Sequence, residues 1–190
     1  MNLEEVGLYK GKYKGWMETY TGKRVNPLDL KIEDIDIEDI AHALSHICRY
    51  GGHCHKFYSV AEHSVRVAVK VGDKGFYSLR LAALLHDASE AYLGDVIRPL
   101  KYSFPELVMA EKNAMEIIDL AFNTGITAEE IRIIKEVDNI LIATEARDLM
   151  VNSAIWNNLP KPLPETITLI PMHQAKDIFL EKFEEYSDGA

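Results

Sequence analysis

The segment Leu79–Asp87 (LRLAALLHD) decides the fold class, because it is apolar on nearly every side of a helix and ends on a His-Asp pair. A helix that is apolar all round is buried at the centre of a domain. We therefore predict a central helix over about residues 76–90 in an all-α protein. His86 and Asp87 would then enter the interior, where an ionisable side chain is costly unless it is paired or bound to a metal.

Helical patterns continue on both sides of this segment. Apolar residues recur at helical spacing from Ile37 to Ile47, and Asp36 precedes them as the expected N-cap of a helix that reaches about residue 49. A final helix is predicted over about residues 172–187, after an irregular, proline-containing connection. Further helix starts are indicated by capping boxes, in which a Ser or Thr precedes a Glu by three residues. These are Ser59–Glu62, Ser103–Glu106 and Thr127–Glu130.

The front of the chain has a different pattern. Thr21-Gly22-Lys23 lies between two short stretches, Trp16–Tyr20 and Arg24–Pro27, which is typical of a small β-hairpin. A chain of 190 residues fits one domain. We divide it into an N-terminal hairpin region (1–35), a metal-binding helical core (36–150) and a C-terminal connection and helix (151–190). The aromatic side chains of Tyr9, Tyr13 and Trp16 are interpreted as packing or subunit contacts.

The composition excludes several classes of protein. The chain has 21 basic and 30 acidic residues and a formal net charge of −9, which argues against gripping a nucleic-acid polymer. No apolar run reaches the ~18 residues needed to span a membrane, and the N-terminus lacks the features of a signal peptide. Two cysteines are too few for a disulfide framework. We therefore expect a soluble, cytoplasmic protein.

Ionisable residues lie inside three of the predicted helices. His63 falls in the first turn of the helix capped by Ser59, His86-Asp87 ends the buried run, and Asp138 interrupts the apolar stripe of the helix begun by Thr127. Each has an ordinary alternative: His63 as a hydrogen-bonded core histidine, His86-Asp87 as a dipole partner beside an exposed carboxylate, and Asp138 as a surface carboxylate near Arg132 or Lys135. Together, however, they indicate one divalent cation held between the helices.

The same residues carry a resemblance to a known family. The segments Val60–Ser64 (VAEHS), Leu84–Glu90 (LLHDASE) and Gly94-Asp95 are similar to those of the HD-domain phosphohydrolases. Within that superfamily they resemble the bacterial 5′-deoxynucleotidases and the phage-type dATP triphosphohydrolases. The resemblance implies an HD-domain helical bundle. The metal ligands that it implies are His63, His86, Asp87 and Asp138.

The resemblance also implies roles around the metal. Two imidazoles and two carboxylates suit Co²⁺, Zn²⁺, Mn²⁺ or Fe²⁺ without selecting among them, and a second divalent ion could arrive with substrate. On a continuing helix Glu90 shares the face of His86 and Asp87. With Asp95 it would handle protons, although sequence does not say which is base and which is acid. For Glu90 the alternative is a solvated carboxylate at a helix end.

The expected substrate is a small deoxynucleotide. Lys101 matches a phosphate-binding lysine of the family. Arg49 matches an arginine upstream of the first His, and its planar guanidinium is suited to phosphate, although Arg49 could instead close the first helix as a surface cation. In the loop that follows, we assign His53 to the phosphates and Tyr50 to stacking on a base. Cys48, Cys54 and the loop histidines also have donors for a second metal, but their spacing makes a structural zinc improbable.

Three functions are weighed. The leading one is hydrolysis of dATP or another dNTP, with hydrolysis of dNMPs by a 5′-deoxynucleotidase as the alternative. A di-iron oxygenase would need extra ligands between His63 and His86, where Asp73 is the single acidic residue. A non-catalytic nucleotide-binding regulatory module is the third. The resemblance also implies a dimer or larger homo-oligomer.

Overall fold

The computed structural model describes residues 15–188, so the predictions for Tyr9 and Tyr13 fall outside the described residues. Its first element is a two-stranded antiparallel hairpin of β1 (Met17–Glu18) and β2 (Arg24–Val25), with Met17 opposite Val25. Gly22 turns the chain with a φ of 85°, in the left-handed region that glycine adopts without strain. The predicted hairpin is therefore confirmed.

Helices make up the rest of the fold, and the all-α prediction is confirmed. Their bounds are α1 (Ile37–His46), α2 (Val60–Asp73), α3 (Arg80–Leu84), α4 (Glu90–Leu93), α5 (Arg98–Lys101), α6 (Pro105–Phe122), α7 (Ala128–Leu149) and α8 (Met172–Ser187). Short 3-10 turns cover Ile32–Asp34, Arg49–Gly52, Tyr77–Leu79 and Ser153–Ile155.

Helix α2 lies at the centre and packs against α1, α3, α7 and α8. Its residues Val60, Ala61, Val67, Ala68 and Val71 are fully buried. The buried core is continuous, with large fully enclosed members on four helices: Ile40, Leu44, Leu84, Leu141 and Phe179. This arrangement brings the first turn of α2, the end of α3 and the middle of α7 into one interior.

The predicted helix starts are confirmed only in part. Asp36 caps α1 by accepting from the Glu38 amide at 3.0 Å, and Thr127 forms a reciprocal capping box with Glu130 on α7. At α2 the box is half formed: Ser59 accepts from the Glu62 amide, but the Glu62 carboxylate binds Arg66 instead. The Ser103 prediction is wrong. Helix α6 starts at Pro105 after Phe104, and the Ser103 hydroxyl donates to the carbonyl of Pro99.

The central helix predicted over residues 76–90 is interrupted. Leu81–Leu85 are buried as expected, but α3 ends at Leu84, and hydrogen bonds between residues three apart join residues 85–92 before the four-residue spacing returns at Leu93. One such bond joins the Glu90 amide to the Asp87 carbonyl at 3.0 Å. Glu90 therefore does not share a continuous helix with His86. In a winding of three residues per turn it instead lies one turn after Asp87.

Helix α1 also stops earlier than predicted, at His46. The loop that follows it is closed by an isolated antiparallel β-bridge between Cys48 and Ser59. A hydrogen bond from the Val60 amide to the Ile47 carbonyl (3.1 Å) lies beside that bridge. Arg49 therefore lies at the base of this loop and does not end the helix as a surface cation. Among residues 15–188, none of the helices combines the length and apolar character needed to cross a bilayer.

Candidate metal centre

His63 lies at the bottom of the site, with its side chain fully buried. Its Nδ1 lies 2.6 Å from Oε1 of Glu145 and donates a hydrogen bond to this carboxylate. The hydrogen bond fixes the orientation of the ring. Nε2 consequently points the other way, toward Asp138 Oδ1 at 3.3 Å and Asp87 Oδ2 at 3.8 Å. Neither contact has the geometry of a hydrogen bond, and this buried nitrogen has no partner among the described residues.

His86 has the same arrangement at the end of α3. Its Nδ1 lies 2.8 Å from the carbonyl of Ala83, which can accept only if the nitrogen carries the proton. The proton on Nδ1 leaves Nε2 as a lone-pair donor, 3.2 Å from Oδ2 of Asp87 and again without a hydrogen-bond partner among the described residues. Because the helix ends at Leu84, the imidazole of His86 turns toward His63, and the two ring centroids lie 5.4 Å apart.

The two carboxylates complete the centre unequally. Donor atoms of His63, His86 and Asp87 all lie within 4.8 Å of one another. Asp138 is not a member of that set, although its Oδ1 approaches His63 Nε2 to 3.3 Å. Its other oxygen is held by Lys135 at 2.6 Å and by Arg98 at 3.5 Å. The structure thus brings three of the four predicted ligands into one cluster and places the fourth at its rim.

These residues fit a divalent cation. Two buried imidazole nitrogens with unshared lone pairs face carboxylate oxygens, and lone pairs facing negative oxygens repel unless a cation or a proton lies between them. In metal sites a histidine ligand commonly donates its other nitrogen to a carboxylate or a backbone carbonyl. Glu145 and the Ala83 carbonyl occupy those two positions here.

Glu145 is the important residue that sequence reasoning missed. It is fully buried on α7, two turns after Asp138, and accepts from three directions. Its Oε1 contacts His63, and its Oε2 receives the Tyr50 hydroxyl and the Nε of Arg49 at 3.3 Å. The seven-residue spacing from Asp138 was a signal that both acids share one face of α7.

The ionisable groups of the centre are strongly coupled. Burial and the charge of Arg49 lower the pKa of His63, but Glu145 and Asp138 outweigh them and raise it to about 9. Burial alone raises the pKa of Glu145, whereas Arg49 and His63 lower it to about 2. The pKa values of Asp87 and Asp138 also fall, despite burial, because positive groups surround them. Without metal, the site therefore holds a proton on His63 where a cation would otherwise lie.

Glu90 and Asp95 are the predicted proton-handling groups, and the charges of Asp87 and Asp95 both act on Glu90. Glu90 is buried, and its Oε2 lacks a partner among the described residues. Burial first, and then the charges of Asp87 and Asp95, raise the pKa of Glu90 to about 10. Asp95 is half-buried just after Gly94, whose φ of 78° makes the predicted turn. Glu90 therefore retains a proton at neutral pH in the metal-free protein.

The predicted substrate-binding residues occupy two kinds of position. Arg49 is buried, with its Nη1 3.4 Å from Asp87. Tyr50 donates its hydroxyl to Glu145, and its ring meets Trp156 edge-on at 5.5 Å. Lys101 is half-buried and pairs with Glu111 at 2.9 Å, whereas His53 is exposed. The base-stacking role of Tyr50 and the phosphate roles of the others stay predictions.

The loop that carries Tyr50 has an unusual backbone. Tyr50 has a φ of 58° and is followed by two glycines that are also left-handed. A bulky residue in this region costs of order 1–3 kcal/mol and persists only where the surroundings hold it. The Tyr50–Glu145 hydrogen bond is such a restraint. The thiols of Cys48 and Cys54, which bracket the loop, lie 3.5 Å apart as free cysteines.

The comparisons with known proteins place the chain. No protein-family model matches it. It is 42% identical over 97 residues to the uncharacterized protein RCAP_rcc00048 of Rhodobacter capsulatus. That match covers 46% of this chain and 47% of the relative. It is also 34% identical over 178 residues to the uncharacterized protein YfdR of Escherichia coli. That match covers 91% of this chain and 96% of YfdR. The chain therefore belongs to the same family as YfdR.

Proposed function

We propose that this protein is a metal-dependent phosphohydrolase of the HD type that removes phosphate from deoxyribonucleotides. The best candidate substrate is a triphosphate such as dATP, and the alternative is a 5′-monophosphate. The observation that carries the proposal is the pair of Nε2 atoms of His63 and His86, which have no hydrogen-bond partner within residues 15–188 and face the carboxylates of Asp87 and Asp138.

His63, His86, Asp87 and Asp138 would hold the metal. This mixed set suits Co²⁺, Zn²⁺, Mn²⁺ or Fe²⁺. Such an ion, when bound, polarises a phosphoryl oxygen and lowers the pKa of a water molecule. Glu145 orients His63 through Nδ1, and Arg49 in turn holds Glu145 and Asp87 in place. The guanidinium of Arg49 also faces the centre with charge that a phosphate can use.

Glu90 is the group that we assign to proton transfer. Its raised pKa makes it an acid at neutral pH before metal binds, and a cation next to Asp87 offsets the negative charge that helps to raise it. Its pKa then moves toward the working pH, where a side chain can both hold and release a proton. Asp95 would place water beside it. Lys101 would attract the phosphate with an ammonium that stays charged, because burial lowers the pKa of Lys101 but its hydrogen bond to Glu111, together with the charges of nearby carboxylates, outweighs burial and raises it.

A nucleotide panel tests the proposal. Protein loaded with Co²⁺ or Mn²⁺ is incubated with dATP, the other dNTPs and dAMP, and inorganic phosphate, polyphosphate and nucleoside are quantified separately. We expect release of phosphate or polyphosphate that a chelator abolishes. Absence of turnover with every nucleotide and metal would contradict the proposal, while nucleotide binding without product would favour the regulatory module.

The di-iron alternative gains no support from the residues between His63 and His86. Asp73, the single acidic residue of that span, lies at the last residue of α2 with a half-exposed side chain paired to Lys70 at 3.2 Å. A nucleotide substrate and two free cysteines are in keeping with a cytoplasmic location, which we propose for this protein.

A further inference from the structure

Asp138 is approached by two cations from outside the metal centre. Its Oδ1 faces His63, whereas its Oδ2 receives Lys135 at 2.6 Å and Arg98 at 3.5 Å. Lys135 precedes it on α7, but Arg98 comes from the start of α5, forty residues away in sequence. The carboxylate of Asp138 is buried, and the two cationic side chains are about half exposed. Their charged ends therefore lie at the mouth of the site.

Positive charge exceeds negative charge at the mouth of the site, where Arg98 and Lys135 lie. Arg49 and a divalent ion would together balance the carboxylates of Asp87, Asp138 and Glu145. Lys101 is matched by Glu111. Arg98 and Lys135 then share a carboxylate whose charge the metal already uses. Even when the carboxylate of Asp95 is counted, these two cations leave one positive charge in excess, and an excess of positive charge attracts an anion.

The ordinary explanation accounts for only part of the arrangement. An i,i+3 pair such as Lys135–Asp138 is common on helix surfaces and needs no ligand. It does not explain why a second cation from another helix reaches the same oxygen. Arg98 has no other acidic contact among the described residues. Its planar guanidinium is suited to bidentate binding of phosphate.

We propose that Arg98 and Lys135 bind the phosphate groups beyond the one that meets the metal, so that the substrate carries a chain of at least two phosphates. This inference rests on the proposed function. Arg49 lies on the Asp87 side of the centre, and Arg98 and Lys135 lie on the Asp138 side. A phosphate chain can contact cations on both sides, whereas a monophosphate has all its oxygens around one phosphorus atom.

The test compares binding of two inert ligands in excess Mn²⁺: analogues of dATP and dAMP in which a methylene group replaces the 5′ ester oxygen and, in the dATP analogue, also both oxygens that bridge the phosphates. Calorimetry is carried out on the wild type and on the double variant R98A/K135A. We expect the double variant to lose about 10- to 100-fold in affinity for the triphosphate analogue. Its affinity for the monophosphate analogue should change by less than about threefold, since the contacts between a single phosphate and the metal remain.

The matched control is Arg132→Ala, which removes a cation from the same helix. Arg132 is exposed and pairs with Glu129, without contact to Asp138. It should bind both analogues as the wild type does. Should the double alanine variant fail to fold, R98Q/K135Q keeps an unbranched polar side chain at both positions and removes the same two charges. Thermal unfolding and metal content are measured for each variant.

The outcomes separate this inference from the proposed function. Unchanged triphosphate affinity in the double variant, equal loss of both analogues, or no binding of the triphosphate analogue to the wild type would overturn the inference. Selective loss without hydrolysis of any nucleotide would support the phosphate-chain site while contradicting the proposed reaction. Hydrolysis with equal loss of both analogues would do the reverse.

Discussion

Replacing Glu145 by glutamine tests the network that orients the metal centre. The amide of a glutamine can still accept the Nδ1 proton of His63 through its oxygen. Its NH₂ group, however, then faces the Tyr50 hydroxyl and the Arg49 Nε, which both donate to Oε2 in the native protein. Three donors would meet one acceptor, and the buried charge of Arg49 would keep only Asp87 as a counter-charge.

The magnitude follows from these contacts. Loss of an outer-sphere carboxylate typically weakens metal binding by about 10- to 100-fold, or roughly 1.4–2.8 kcal/mol. Breaking a buried ion pair destabilises a protein by about 3–5 kcal/mol, and retention of one hydrogen bond places E145Q near the lower limit. For a domain of this size, ~3 kcal/mol corresponds to a decrease in melting temperature of roughly 6–12 °C.

The assay is a Co²⁺ titration by calorimetry on metal-free protein, with thermal unfolding measured in parallel. Glu136→Gln is the matched control, since Glu136 lies on the same helix but is exposed and pairs with Lys74. That control should match the wild type in both measurements. A folded E145Q protein that binds Co²⁺ as tightly as the wild type would refute the role given to Glu145.

The remaining predictions concern the ligands, the acid and pH. Asp87→Ala or Asp138→Ala should abolish stoichiometric metal and activity together, as measured by elemental analysis and phosphate release; full activity in either variant would show that the ligand assignment is wrong. Glu90→Gln should keep the metal but slow turnover by about 10²- to 10⁴-fold. Because burial raises the folded-state pKa of Glu90 from 4.5 to about 10, the metal-free wild type should lose stability as pH rises between those values. The Glu90→Gln variant should lack this loss and melt at least about 2–4 °C higher at pH 8; an equal melting temperature would contradict the assigned pKa. The pKa of His63, raised from 6.5 to about 9, gives stability to the metal-free protein that is complete below pH 6.5 and lost as pH rises through 9. Metal must displace that proton, so Co²⁺ affinity should rise by about tenfold or more per pH unit below 9, and calorimetry in buffers of different ionisation enthalpy should show the release of at least one proton; pH-independent binding would contradict this.

The sequence predicted the elements with strong local signals. The Gly22 turn, the caps at Asp36 and Thr127 and the final helix depend on residues close together in the chain, and each is present in the structure. The break after Leu84 was missed because the apolar run reads as one continuous helix. The tighter winding of residues 85–92 brings His86 and Asp87 to the side chain of His63 on α2, which periodicity alone does not reveal.

The candidate site was likewise predictable only in part. His63, His86 and Asp87 were found because ionisable residues in apolar runs are costly without a partner, and they do cluster. Glu145 was missed because it lies among Thr144, Ala146 and Arg147, where an acid looks like a surface residue. Its importance comes from Arg49 and Tyr50, nearly a hundred residues away in sequence, and such a contact has no local signal.

The most direct measurement of the central claim is an anomalous difference map from crystals of the Co²⁺-loaded protein, recorded at the cobalt edge. We predict a single strong peak at about 2.0–2.2 Å from Nε2 of His63, Nε2 of His86 and carboxylate oxygens of Asp87 and Asp138. A peak bound through Nδ1 of either histidine, a peak elsewhere in the protein, or no peak in fully loaded crystals would contradict the metal centre proposed for this protein.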